Sequence, residues 1–179
     1  YVNDELRQRI VDNYVKRLDA SKSLYLAAEV AVLKKQLRAI IQQIRDDDCS
    51  ALLKIQTDQV TRYEALQKFA TEMLADENYE LDTDAVLIID PDKRAFSPNA
   101  EARNELVSKL IHFQMSNYTS SDMALPEARE KLTHRYELMT RRAKEKTNED
   151  LYAEYLDAFA TALDPHSNYL SQEVLEDFQ

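Results

Sequence analysis

The stretch Leu26-Ala27-Ala28-Glu29-Val30-Ala31-Val32-Leu33-Lys34-Lys35-Gln36-Leu37-Arg38-Ala39-Ile40-Ile41-Gln42-Gln43-Ile44 decides the fold. Its apolar residues Leu26, Val30, Leu33, Leu37, Ile40 and Ile44 step by four, three, four, three and four. That is a heptad seam, the pattern of a helix burying one stripe. At 1.5 Å per residue the helix is about 28 Å long. Two uses fit such a seam: a helix inside a bundle, or a dimerising coiled coil. Under three heptads is short for an independent coiled coil, which favours the bundle.

The same period recurs on both sides. Leu6, Ile10, Tyr14 and Leu18 form a stripe ahead of it. A third helix is expected over 50–76, with Leu52, Ile55, Val60, Tyr63, Leu66, Phe69 and Met73 on its apolar side. Ser97-Pro98 reads as the start of a fourth, a capping residue followed by proline at the first helical position. Its face would be Leu106, Leu110, Phe113 and Ile111. A fifth starts at Pro126 and buries Ala128, Leu132, Tyr136, Met139 and Ala143. A sixth opens at Thr147-Asn148-Glu149-Asp150, a capping-box-like start, and buries Leu151, Tyr155, Phe159 and Ala162. Asp164-Pro165 ends it. Ser171 then caps a short last helix to Gln179. Residues 77–97 are turn-rich. Within them Val86–Ile89 is β-like in composition but has no evident sheet partner, so it reads as an extended segment packed across helices.

The expected fold is therefore all-α. It is an elongated bundle of about six helices plus a short C-terminal one, in a single domain over 1–179. Helices one to three occupy 1–76, the irregular crossover 77–97, and helices four to seven 98–179.

Composition agrees. The chain has no glycine in 179 residues, where roughly a dozen would be average. Glycine supplies the positive φ of tight hairpins and the close backbone approach of phosphate loops. Hairpin-rich sheets are thus disfavoured, and dinucleotide loops, P-loops and nucleophile elbows are excluded by definition. The net charge of −10 disfavours nucleic acid and anionic membrane surfaces as partners. The longest apolar run, Ala85–Ile89, is far too short to span a bilayer. The single cysteine, Cys49, follows three aspartates that disfavour a thiolate, and it reads as a small half-buried residue. The chain opens with Tyr1-Val2-Asn3 rather than Met, as an excised or processed piece would.

Site chemistry is sparse. His112, His134 and His166 are far apart, and no HExxH or Glu-x-x-His spacing occurs. Glu130 and His134 share a helix face as a surface contact. Asp46-Asp47-Asp48 lacks the spacing and glycine of a calcium loop and marks a helix stopping near Arg45. No cofactor or metal is expected. The most unusual surface is the basic side of the fifth helix, with Arg129, Lys131, Arg135, Arg141, Arg142, Lys144 and Lys146. Glutamates at helical spacing can neutralise it. Alternatively Arg129, Arg135, Arg141, Arg142 and Lys146 form a docking surface for an acidic partner.

The last third of the chain resembles a known family. His134-Arg135-Tyr136-Glu137, Arg141-Arg142 and Thr147-Asn148-Glu149-Asp150 lead to Tyr155-Leu156-Asp157-Ala158-Phe159 and then Ala162-Leu163-Asp164-Pro165-His166-Ser167-Asn168-Tyr169-Leu170-Ser171. This is similar to the helical N-terminal domain of the tail-specific, or carboxy-terminal processing, proteases. Asp164, Pro165, His166, Tyr169, Leu170 and Ser171 are its most specific element. Tyr14-Val15-Lys16-Arg17-Leu18-Asp19 and Leu24-Tyr25-Leu26 resemble the family's opening, although Ala20-Ser21-Lys22-Ser23 replaces a proline-containing turn. The resemblance implies a bacterial, periplasmic Ser-Lys peptidase that reads apolar C-termini through a PDZ domain. The PDZ and peptidase parts are expected after about Phe178. The implied partners are those downstream domains, protein substrates and a helical-repeat lipoprotein adaptor. No family catalytic residue maps onto this chain. Against this scaffold reading stands an independent helical interaction module, motivated by the heptad seam. A helical metalloenzyme is disfavoured by the missing ligand spacing.

Overall fold

The computed structural model describes residues 2–45, 48–171 and 175–176, and of residues 41, 44 and 45 the backbone alone. Among the described residues there are six α-helices: α1 (Asp4–Leu18), α2 (Ala27–Arg45), α3 (Ser50–Ala75), α4 (Ala100–Thr119), α5 (Leu125–Glu145) and α6 (Asn148–Leu163). A 3₁₀ turn lies at Pro91–Lys93. No strand occurs among these residues; β-type pairing is limited to one isolated bridge between Leu26 and Ser97. The fold is all-α. Of the expected C-terminal helix only Leu175 and Glu176 are described, and both are helical; the rest lies outside the described residues.

The chain gathers into two compact units, one of 1–20, 29–57 and 146–179, the other of 21–28 and 58–145.

In the first unit, α1 packs along α6. Asn3 caps α1, its Oδ1 accepting from the Leu6 N–H at 2.8 Å. Asp4 and Glu5 stand in the first turn and Lys16 and Arg17 in the last, as the helix dipole favours. The expected stripe of Leu6, Ile10, Tyr14 and Leu18 is buried, joined by Val11 and Val15. Tyr14 meets Tyr155 of α6 edge to face, with ring centroids 5.4 Å apart. Val30, Leu33, Leu37 and Ile40 of α2 are buried within the chain itself. These four seam positions are thus filled by the chain's own fold; the side chain of Ile44, the expected last member, lies outside what is described. Leu26, its expected first member, lies just outside α2 in the bridge to Ser97.

In the second unit, α4 packs against α5. Here the buried lines differ from the sequence expectation. Along α3, whose residues to Thr57 belong to the first unit and bury Leu52 and Ile55 there, the second unit buries Gln59, Leu66, Ala70 and Leu74, while Val60, Tyr63, Phe69 and Met73 are half-buried. Along α4 the line is Val107, Ile111 and Met115, with Leu106, Leu110 and Phe113 half-buried. In α5, Thr140 replaces Met139; its hydroxyl donates to the Tyr63 and Tyr136 carbonyls, both at 3.2 Å. In α6, back in the first unit, Ala158 replaces Phe159. In α5 and α6 a hydrogen-bonded or small residue takes the innermost position. The long side chain beside it packs at the rim.

The start of α4 is also corrected. Asn99 is the cap, its Oδ1 accepting from the Ala102 N–H at 2.8 Å. Ser97-Pro98 precedes the helix. Ser97 is buried, and its carbonyl accepts the Ala27 N–H at 2.9 Å, so it serves the start of α2 instead.

With no glycine available, two positive-φ positions fall on Lys22 (φ 56°) and Asp122 (φ 64°). Aspartate tolerates that region better than most residues.

Candidate functional site

Three groups of residues carry chemistry: the end of α6, the basic side of α5, and the crossover beside α4.

The end of α6 is a built corner. The helix opens on the expected capping box: Thr147 Oγ1 accepts from the Asp150 N–H at 3.2 Å, and Asp150 Oδ2 accepts from the Thr147 N–H at 2.8 Å. The Thr147 N–H and the Thr147 hydroxyl, which donates to the same Oδ2 at 2.8 Å, hold the Asp150 carboxyl below its ordinary range. At the other end Asp164 is extended (φ −145°, ψ 125°), as its following proline demands. Its carboxylate accepts from the His166 N–H at 3.2 Å and the Ser167 hydroxyl at 3.1 Å. The returning chain is then pinned by Asp157, whose Oδ1 accepts the Tyr169 N–H at 2.7 Å. Asp157 also pairs with Arg17 of α1, and Arg17 donates to Thr161 at 3.3 Å. The corner fixes the backbone and turns its apolar side chains outward. Leu163 is 58% exposed, Tyr169 42% and Leu170 48%. Pro165 and His166 are exposed, and Ser171 is half-buried. The sequence reading missed Asp157 as the pin. No local signal marks it: its partners, Arg17 and the Tyr169 N–H, are 140 and 12 positions away.

The basic side of α5 is not one surface. Arg129 donates to the Leu74 carbonyl and, at 2.7 Å, to the Asp76 carbonyl. It thereby closes the C-terminus of α3, where orphan carbonyls need donors. Lys144 pairs with Glu64 at 2.6 Å, Arg141 with Glu145 at 3.9 Å, and Lys146 with Glu154 at 2.7 Å. Lys131 lies over the Tyr118 ring. Arg135 and Arg142 are exposed and make no ion pair among the described residues. They stand seven apart, two turns along one face. His134 pairs with Glu137 at 3.5 Å rather than with Glu130.

The crossover was the least legible part. Tyr79 is buried and stacks on His112 of α4, with centroids 5.5 Å apart and planes 12° from parallel. The Asp82 N–H donates to His112 Nδ1 at 3.1 Å. Burial pushes the Tyr79 phenol up, against the opposing pull of Arg129. Arg94, buried, donates to the Ile88 carbonyl at 3.1 Å and the Ser21 carbonyl at 2.9 Å. The crossover thus lies along α4, bonded to it through His112.

Among the described residues no three or more His, Cys, Asp or Glu side chains are placed to hold a metal ion. No described helix is long and apolar enough to cross a membrane.

The comparisons cover nearly the whole chain. Residues 1–173 match a family described as the tail specific protease N-terminal domain. A tail-specific protease from Haemophilus influenzae is 29% identical over 179 residues, 99% of this chain and 26% of the relative. The chain spans about a quarter of the length of that relative. The matched region takes in α1 to α6 and the whole Asp164–Ser171 corner, and the chain belongs to the tail-specific protease N-terminal domain family.

Proposed function

We propose that this chain is the helical N-terminal scaffold of a periplasmic carboxy-terminal processing serine protease. It frames the catalytic part and supplies no reacting group itself. The observation that carries the reading is the corner after α6. Hydrogen bonds and an ion pair through Asp157 and Asp164 hold it, yet Leu163, Tyr169 and Leu170 face outward. A rigid turn with exposed apolar side chains suits contact with another domain. In this reading the contact is with the downstream PDZ and peptidase domains, which act on the C-termini of protein substrates. Arg135 and Arg142 would then offer the cationic half of a contact with an acidic adaptor or substrate.

The test is a pair of substitutions in the full-length protein, Leu163→Asp with Leu170→Asp. Both side chains are exposed, so the thermal midpoint should hold. Cleavage of an unfolded protein substrate should fall about tenfold or more, a loss of about 1.4 kcal/mol or more in transition-state stabilisation. Unchanged cleavage in the folded variant would contradict the framing role.

A further inference from the structure

The segment 84–89 has the character of an unpaired strand. Ala85, Leu87 and Ile89, two residues apart, line one cleft with His112 and Phe113 of α4, which is the period of an extended chain. Its other side carries Val86 and Ile88, 82% and 54% exposed, and Ile89 is 65% exposed. The anchors sit toward its ends: Asp82 N–H on His112 Nδ1 and Asp84 N–H on Asp82 Oδ1 at 2.9 Å before it, and Arg94 on the Ile88 carbonyl near its close. Between them, the N–H groups of residues 85 to 89 meet no acceptor among the described residues. In an extended chain these donors alternate between its two edges, and an edge without partners beside β-branched side chains is a template for another strand.

Charge selects the occupant. Seven acids and no Lys or Arg fall in 76–92, with Asp82 and Asp84 at one end of the segment and Asp90 and Asp92 at the other. The nearby cations are engaged: Lys93 with Asp90 at 3.7 Å, Lys109 with Glu105 at 2.7 Å, and Arg94 in the buried bonds above. A second copy of this chain would bring carboxylates against carboxylates, which disfavours self-pairing. An extended peptide with alternating apolar residues and a cation at each end meets the backbone, the apolar side and the charge together.

We infer that Asp84–Ile89 is a docking edge that takes such a basic-flanked apolar peptide from another protein as an added strand. Use of the edge does not depend on the α6 corner.

The probe is a fluorescent synthetic peptide with blocked ends, a lysine pair at each terminus and alternating valine and threonine between. Its anisotropy is followed on titration with the full-length protein, inhibited so that the peptide survives. Saturable binding is expected, weakening as salt rises. Val86→Ser with Ile88→Ser should weaken it about tenfold. Asp82→Asn with Asp84→Asn, which keeps the Asp82 acceptor, should weaken it and flatten the salt dependence. A peptide with prolines at alternate positions, unable to donate along the edge, should not bind. Absence of saturable binding overturns the inference. So does equal binding of a glutamate-ended peptide, or binding indifferent to the serine pair. Concentration-dependent dimerisation abolished by the serine pair would assign the edge to a second copy and also overturn it.

Discussion

Tyr155 lies edge-on to Tyr14, and its hydroxyl is buried without a hydrogen-bond partner among the described residues. Burial pushes its phenol up to about 12, and that of Tyr136 likewise. An unfolded chain releases these protons near pH 10. The folded chain holds them longer, so their stabilising contribution is whole below about pH 10 and is lost as pH rises toward 12. Removing an orphaned hydroxyl costs little, because no bond is broken and a buried polar atom disappears. Tyr155→Phe should therefore leave the neutral-pH thermal midpoint unchanged or raise it. It should also shrink the loss of stability between pH 10 and 12. Thermal melts across that range check both. A large loss at neutral pH would mean that the hydroxyl has a partner.

At the scale of the helix, polar punctuation was legible and the innermost apolar position was not. Thr147 and Asp150 declared a capping box, and the box is there. Asp164-Pro165 declared a stop, and α6 ends at Leu163. Those signals are local: a side chain bonds its own backbone within one turn. The stripe through Tyr155 and Phe159 assumed that the largest side chains lie deepest. Yet while Leu151, Tyr155 and Ala162 are buried as expected, Phe159 is only half-buried and Ala158 takes its place, since helices approach closest where side chains are small. That choice is made by the neighbouring helix, which a single helix's sequence does not carry. The same limit hid Asn99 behind Ser97 as the cap of α4: both are good cap residues, and only the bond from Ala27 to Ser97 separates them. Leu151, 1% exposed, should cost about 2–5 kcal/mol when truncated to alanine. Phe159→Ala should cost less. Urea melts of the two variants rank them, and the reverse order would return Phe159 to the core.

At the scale of the molecule, the absence of glycine was the most useful single reading. Two left-handed positions fall on Lys22 and Asp122, and the described residues hold helices and one isolated bridge in place of a sheet. The basic side of α5 shows what composition misses. Seven cations within Arg129–Lys146 read as one surface, but tertiary partners engage Arg129, Lys144 and Lys146. The α6 corner was legible as a motif, while its pin through Asp157 and Arg17 depends on residues 140 positions apart and was not.

The function proposed for this chain is to assist catalysis without performing it. Its most direct test is the time course of cleavage of an unfolded protein by the purified 179-residue chain, confirmed helical by circular dichroism. The account predicts a rate indistinguishable from buffer. Cleavage that a serine-directed inhibitor abolishes would contradict it.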